Sequence, residues 1–172
     1  MKYTALVFGG SLVFGLVACG AAAAQTAKAE LRNAEGKVVG RATLTEEAQG
    51  VKIAVEVFGL PFGPRGFHIH AVGKCDPPGF TSAGGHFNPH GKKHGLRSPE
   101  GPHAGDLPNM VVWPDGTAKF EVVAPHVTLG AGTHSLFHPG GTALVIHADV
   151  DDERTDPTGN AGGRIACGVI TK

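Results

Sequence analysis

Alternating hydrophobic and polar positions dominate residues 25–62. The runs AKAELRNA, KVVGRATLTE and VKIAVEVFGL alternate between apolar and polar side chains, with turns expected at Glu35-Gly36 and Gln49-Gly50. Such alternation is typical of β-strands that bury one face. This part of the chain therefore predicts three half-buried strands, and it contains no candidate chemistry.

Five more short strands are predicted further along the chain. GFHIHA and TALVIHA are apolar runs with histidines, PNMVVWP and TAKFEVVA flank a turn at Asp115-Gly116, and IACGVIT closes the sequence. Many short strands joined by turns and two long irregular loops are typical of antiparallel β-structure. We therefore predict an all-β fold, an antiparallel Greek-key β-sandwich or barrel of about eight strands with two long functional loops.

Two histidines lie two positions apart in GFHIHA. Side chains at i and i+2 leave a strand on the same face, so His68 and His70 are expected to project together. Phe67, Ile69 and Ala71 would then point the other way, into a core. Two imidazoles held side by side on a strand would form half of a metal site.

A long loop rich in glycine and proline follows this strand and contains three more histidines and a carboxylate. Ordinary connections between strands have about 4–6 residues, so a stretch of about 40 residues from end to end is normally either functional or disordered. Three imidazoles and a carboxylate suit a tetrahedral zinc ion, and a bound metal would order the loop. The candidate ligands are His86, His94, His103 and Asp106.

Length and charge limit the classes of protein that need to be considered. The chain has 172 residues, with 15 basic and 15 acidic side chains. This length predicts one domain with a real hydrophobic core. Because the charges are balanced, the surface as a whole does not indicate nucleic-acid binding, and we expect no nucleic-acid partner.

The first 24 residues are typical of a targeting segment. Lys2 provides a short positive region, and residues 5–18 form an apolar run too short to span a membrane as a helix. The tetrapeptide LVAC, which ends at Cys19, is similar to a bacterial lipobox, in which that cysteine becomes the lipidated first residue. The alternative is ordinary cleavage near Ala24.

Both alternatives place the mature protein outside the cytoplasm, in the periplasm or anchored to the membrane through Cys19. We expect a signal peptide over residues 1–24, a short tether over 25–28 and one domain over 29–172. After Cys19 the sequence contains two cysteines, Cys75 and Cys167. An oxidising compartment permits a disulfide between them, and the alternative is two buried thiols.

Five motifs follow one another along the chain: GFHIHAVG, GGHFNP, KHG, HAGDLPN and GNAGGRIACGVI. They resemble the copper/zinc superoxide dismutases, specifically the secreted bacterial branch, and the similarity covers nearly the whole chain after the targeting segment. The resemblance implies an enzyme that converts superoxide to molecular oxygen and hydrogen peroxide and protects the cell envelope. It also implies one copper and one zinc ion per subunit.

The resemblance implies two ligand sets that share one histidine, whose two ring nitrogens would each bind a metal. The copper ligands would be His68, His70, His86 and His147. The zinc ligands would be His86, His94, His103 and Asp106. His86 would also take part in catalysis, by accepting a proton and passing it to the forming peroxide.

Two further side chains have roles by resemblance. Asp151 matches a carboxylate that links His68 to His94. Arg164 would stand near the open copper position, where its permanent charge attracts and orients superoxide.

The resemblance favours a disulfide between Cys75 and Cys167. Eukaryotic members place the first cysteine immediately before the glycine-rich turn, where this chain has Phe80. The local shape of the loop therefore cannot be copied from the eukaryotic pattern.

The main alternative is a catalytically weak copper- or zinc-binding module of the envelope. It predicts the loss of a copper ligand or of Arg164, and the sequence retains all of them. A homodimer is left open, because bacterial and eukaryotic members pair through different surfaces. The four histidines that match no family ligand are expected to be exposed or hydrogen-bonded: His90, His126, His134 and His138.

Overall fold

The computed structural model describes residue 1 and residues 24–172. The lipobox-like LVAC sequence, which ends at Cys19, lies outside the described residues. No helix in the described part of the chain is long and apolar enough to cross a membrane.

Nine β-strands make up the described domain, with one short 3₁₀ turn at Thr81–Ala83. Seven strands form a curled sheet in the order β5-β8-β9-β1-β2-β3-β7, and a separate two-stranded sheet pairs β4 with β6. All strand pairs are antiparallel. The strands are β1 (Thr26–Arg32), β2 (Val38–Glu47), β3 (Gly50–Val57), β4 (Gly63–Arg65), β5 (Phe67–His70), β6 (Met110–Val112), β7 (Ala118–Ala124), β8 (Ala143–His147) and β9 (Arg164–Val169).

The first three strands form as their alternating sequence predicts. In β3, Val51, Ile53, Val55 and Val57 are almost completely buried and alternate with partly or largely exposed residues. Removing such side chains from water stabilises the fold by about 1.5–3 kcal/mol each. The all-β, antiparallel prediction is confirmed.

The strands that carry histidines are buried on both faces. In β8, Leu144 and Ile146 face the main core, whereas Val145 belongs to a smaller apolar cluster with Phe80 and Cys167. The long loops cover this second face of the sheet. The histidines of β5 and β8 are therefore shielded from solvent although they point away from the main core.

Three details differ from the sequence-based expectation. The structure has nine strands because Gly63–Arg65, too short to show alternation, pairs with β6. The strands on either side of Asp115-Gly116 also divide between sheets, since β7 joins β3 and β6 joins β4. Finally, β1 begins at Thr26, so most of the expected tether over 25–28 is strand paired with β2.

Candidate metal centre

Four buried histidines meet at one end of the curled sheet. His68 and His70 come from β5, His147 ends β8, and His86 lies in the long loop opposite His70 in an isolated β-bridge. One nitrogen atom from each ring lies within 4.8 Å of the others. Because β5 directs alternate side chains to opposite faces, Phe67 enters the core while both of its histidines enter this cluster.

A second buried cluster surrounds the carboxylate of Asp106. Its Oδ1 atom lies 2.9 Å from His86 Nδ1, 3.0 Å from His94 Nδ1 and 3.3 Å from His103 Nδ1. Its Oδ2 atom accepts hydrogen bonds from the backbone N–H groups of Gly95 and His103. One oxygen is thus held by the backbone, and the other faces three imidazole nitrogens, the donor set that zinc prefers.

His86 belongs to both clusters through different ring nitrogens. Its Nδ1 atom faces Asp106, whereas its Nε2 atom is buried and has no hydrogen-bond partner in the part of the chain that the structure describes. Among the described residues, the Nδ1 atom of His68 is buried without a partner as well. An unsatisfied buried polar atom costs about 1–3 kcal/mol, and a cation in the four-histidine cluster would satisfy both atoms. The residues therefore fit a two-metal site with one shared ligand.

The remaining ring nitrogens of this cluster have partners that orient the imidazoles. His70 Nδ1 lies 2.9 Å from the Gly84 carbonyl oxygen, and His147 Nδ1 lies 3.3 Å from that of Gly162. A proton on Nδ1 that is donated to a carbonyl leaves Nε2 free to bind a cation. The two Nε2 atoms lie 3.4 Å apart.

Asp151 connects the two clusters from outside. Its carboxylate oxygens lie 2.7 Å from His68 Nε2 and 3.0 Å from His94 Nε2. Asn109 fixes the backbone of Asp151, since its side chain accepts from the Asp151 N–H group and donates to the Asp151 carbonyl, both at 2.8 Å. The pattern of histidines gave no reason to single out Asn109, although it lies in the motif HAGDLPN.

Gly159 is a second residue that sequence reasoning missed. A Cβ atom at this position would lie 1.8 Å from Asp151 Oδ1 and 2.6 Å from His94 Nε2. Its φ angle of 62° is also in the left-handed region that favours glycine. The absence of a side chain is therefore a requirement for the contact between Asp151 and His94.

Burial prepares the four-histidine cluster for a cation. It lowers the pKa of His70 to about 2 and that of His147 to about 3. Burial also lowers the pKa of His86 to about 4, although the hydrogen bond to Asp106 opposes this. These three imidazoles are neutral near pH 7, so a metal ion does not have to displace their protons.

Carboxylates dominate the other cluster. Burial lowers the pKa of His94, but hydrogen bonds to Asp106 and Asp151 outweigh this effect and raise it to about 9. Burial would raise the pKa of Asp106, but hydrogen bonds to His103, His86 and His94 hold it far below its usual range. Two carboxylates among these imidazoles therefore provide the negative charge that attracts a divalent cation.

Arg164 borders the four-histidine cluster at the start of β9. It donates from Nη1 to the Phe80 carbonyl and from Nη2 to the Gly84 carbonyl, both at 2.6 Å. The guanidinium lines a surface cavity of about 380 Å³ that His70, His86 and His147 also line. A permanent positive charge thus stands where a small anion would enter.

Cys75 and Cys167 form a disulfide with their Cα atoms 5.6 Å apart, which confirms the predicted bridge. Phe80 packs in the same small cluster as Cys167, with Cys75 against its edge. The disulfide therefore ties the long loop to β9 three residues beyond Arg164.

Comparisons with known proteins agree with this geometry. The family model for copper/zinc superoxide dismutase (SODC) matches residues 38–170. This chain belongs to the copper/zinc superoxide dismutase family. A curated relative from Aquifex aeolicus, superoxide dismutase [Cu-Zn] 2, is 52% identical over 172 residues and 99% of each chain is covered. A superoxide dismutase [Cu-Zn] from Caulobacter vibrioides is 41% identical over 148 residues, covering 84% of this chain and 85% of that protein.

Solved structures support the same family and fold. The crystal structure of a superoxide dismutase-like protein from Bacillus subtilis has a TM-score of 0.80 and 41% sequence identity, covering 83% of this chain and 96% of that chain. The predicted Greek-key fold is confirmed. As a member of the copper/zinc superoxide dismutase family the chain is an oxidoreductase that acts on superoxide, with copper and zinc as cofactors.

Proposed function

We propose that this member of the family dismutates superoxide at a copper ion held by the four-histidine cluster, beside a zinc ion held by the Asp106 cluster. The copper ligands are His68, His70, His86 and His147, and the zinc ligands are His86, His94, His103 and Asp106. The observation that carries the proposal is the position of His86, whose two nitrogens face different clusters. The disulfide and the two carboxylates then keep these loops in place.

Copper supplies the one-electron couple that conversion of superoxide to oxygen and hydrogen peroxide requires, whereas zinc has no redox chemistry. The chain's own residues position the substrate and handle protons. Arg164 attracts superoxide into the cavity and orients it with its planar guanidinium. His86 Nε2, buried and with no partner among the described residues, would hold a proton next to the forming peroxide whenever it is not bound to copper.

Asp151 acts on both ligand sets at once. By holding His68 Nε2 and His94 Nε2, it leaves the Nδ1 atom of each ring directed at its own cluster. Asn109 supports this carboxylate by holding the backbone of Asp151 with two hydrogen bonds. Gly159 supports it by having no side chain that would occupy its place.

Superoxide consumption by the purified protein distinguishes the enzymatic proposal from the alternative that the protein is a catalytically weak metal-binding module. Protein loaded with copper and zinc should consume superoxide rapidly, and protein loaded with zinc alone should not. Metal binding without superoxide consumption in the doubly loaded protein would favour the binding module.

We further propose that the protein works in the bacterial cell envelope, as a lipoprotein anchored through Cys19. The LVAC sequence supports lipidation, and the disulfide is typical of oxidising compartments. Protection of the envelope from superoxide would follow from this location.

The small sheet of β4 and β6 supports a homodimer. Phe62, Val111 and Trp113 are 64%, 49% and 59% exposed. Pro64 pairs with Val111, so alternation places these four side chains on one face. We propose that two copies of the chain pair through this apolar face. Analytical ultracentrifugation should then show a dimer, and the substitution Trp113→Glu should convert it to a monomer. A wild-type protein that sediments as a monomer would exclude the proposed dimer.

A further inference from the structure

Two histidines outside both clusters lie side by side at the surface. His90 Nε2 is 3.0 Å from His134 Nε2, and their ring centroids are 4.5 Å apart. The two residues come from different loops, 44 positions apart in sequence. His90 is exposed and His134 is half-buried, so solvent reaches the pair.

The ring of His134 is oriented by the backbone. Its Nδ1 atom lies 2.9 Å from the His126 carbonyl oxygen, which can only accept a hydrogen bond. The proton of neutral His134 therefore sits on Nδ1, and the lone pair of Nε2 points toward His90. The backbone carbonyl of His134 in turn accepts a hydrogen bond from the Thr128 N–H group.

His90 lies in a closed turn. The side chain of Asn88 accepts a hydrogen bond from the Lys92 N–H group at 3.0 Å and donates one to the Lys92 carbonyl at 2.9 Å. Gly91 provides the left-handed φ angle of 60° that the turn requires. Both imidazoles are thus carried by hydrogen-bonded segments, which lowers the entropy lost when a ligand joins them.

The spacing of the pair matches two neighbouring ligands of one metal ion. Nitrogens bound about 2.0–2.1 Å from a metal lie about 2.9 Å apart at a right angle and about 3.4 Å apart in a tetrahedron. We propose that His90 and His134 form a third metal site that binds a divalent transition ion, with Cu(II) preferred over Zn(II) and water completing the coordination. It shares no residue with the copper and zinc ligand sets.

The test is a Cu(II) titration of protein already loaded with copper and zinc and freed of excess metal, followed by calorimetry and copper EPR. We expect a third equivalent of metal. His90→Ala and His134→Ala should each weaken its binding by about tenfold or more, since even the loss of a residue that only supports a ligand weakens metal binding by about 10–100-fold.

His126→Ala is the matched control, because this substitution removes an imidazole but keeps the carbonyl that orients His134. It should leave the third equivalent unchanged. All three variants should retain their first two metal ions and their superoxide consumption. The proposal is overturned if wild-type protein binds no third equivalent in a large excess of Cu(II), or if His90→Ala, an exposed position that folding tolerates, binds it as tightly as wild type.

Discussion

The guanidinium of Arg164 is held by the backbone carbonyl of Phe80, at a distance of 2.6 Å. Phe80 has a left-handed φ of 52°, and its ring is buried against the disulfide that joins Cys75 to Cys167. The charge that borders the cavity is therefore positioned by a loop residue that the disulfide helps to hold.

Reduction of the disulfide should consequently lower both stability and activity. The bridge closes a loop of 92 residues, for which the chain-entropy model gives about 4–5 kcal/mol. Thermal unfolding and superoxide consumption, measured with and without reductant, check this. Protein with Cys75→Ser and Cys167→Ser is the control and should not respond to reductant; full activity of the reduced wild type would contradict the link between the bridge and Arg164.

Substitution of Arg164 should change activity in proportion to the local charge. Arg164→Glu should reduce superoxide consumption more than Arg164→Ala, whereas Arg164→Lys should retain part of it because charge remains but the planar fork is lost. Added salt should slow the wild type more than Arg164→Ala, because the Debye length falls below about 8–10 Å as salt is added. The copper content of all three Arg164 variants should equal that of the wild type.

Arg41→Glu provides the matched control for charge. Its side chain is 69% exposed on β2, away from the metal centre, and the substitution changes the net charge equally. If it slows the reaction as much as Arg164→Glu, the net charge rather than Arg164 attracts the substrate.

Gly159→Ala should weaken zinc binding. The new Cβ atom would overlap Asp151 Oδ1 and displace the carboxylate from His94. Loss of such a supporting contact lowers metal affinity by about 10–100-fold. Zinc competition with a chelator measures this. Gly163→Ala is the control, since a Cβ atom there meets nothing within 4 Å, and equal zinc affinities of the two variants would show that the Asp151 contact does not matter.

Lipidation of Cys19 should place the protein in the membrane fraction. Mass spectrometry of the mature N-terminus should find a lipid-modified Cys19, and Cys19→Ser should release the protein or change its location. A mature N-terminus near Gln25 would instead show ordinary cleavage and would leave the enzymatic account intact.

Local patterns predicted the strands well, and they predicted the histidine face of β5. Two-residue alternation is enough for β1 to β3, and it also places His68 and His70 on one side. It could not predict β4, because Gly63–Arg65 is too short for a period and forms only by pairing with β6.

The sequence pattern also could not predict contacts between residues that are far apart in the chain. The hydrogen bonds of Asn109 to Asp151 join positions 42 residues apart, and Arg164 binds a carbonyl 84 positions away. No local periodicity encodes such pairs. Gly159 shows the same limit, because its role depends on how closely Asp151 and His94 approach it.

The most direct test of the two-metal account is metal analysis with copper EPR on one sample that is also assayed for superoxide consumption. We expect one copper and one zinc per chain in the two clusters, a Cu(II) spectrum with nitrogen ligands, and rapid superoxide consumption. His103→Ala should lose zinc before copper, because His103 Nδ1 faces Asp106 and His103 is not one of the four histidines of the other cluster. A fully reconstituted sample without copper in the four-histidine cluster would contradict the account.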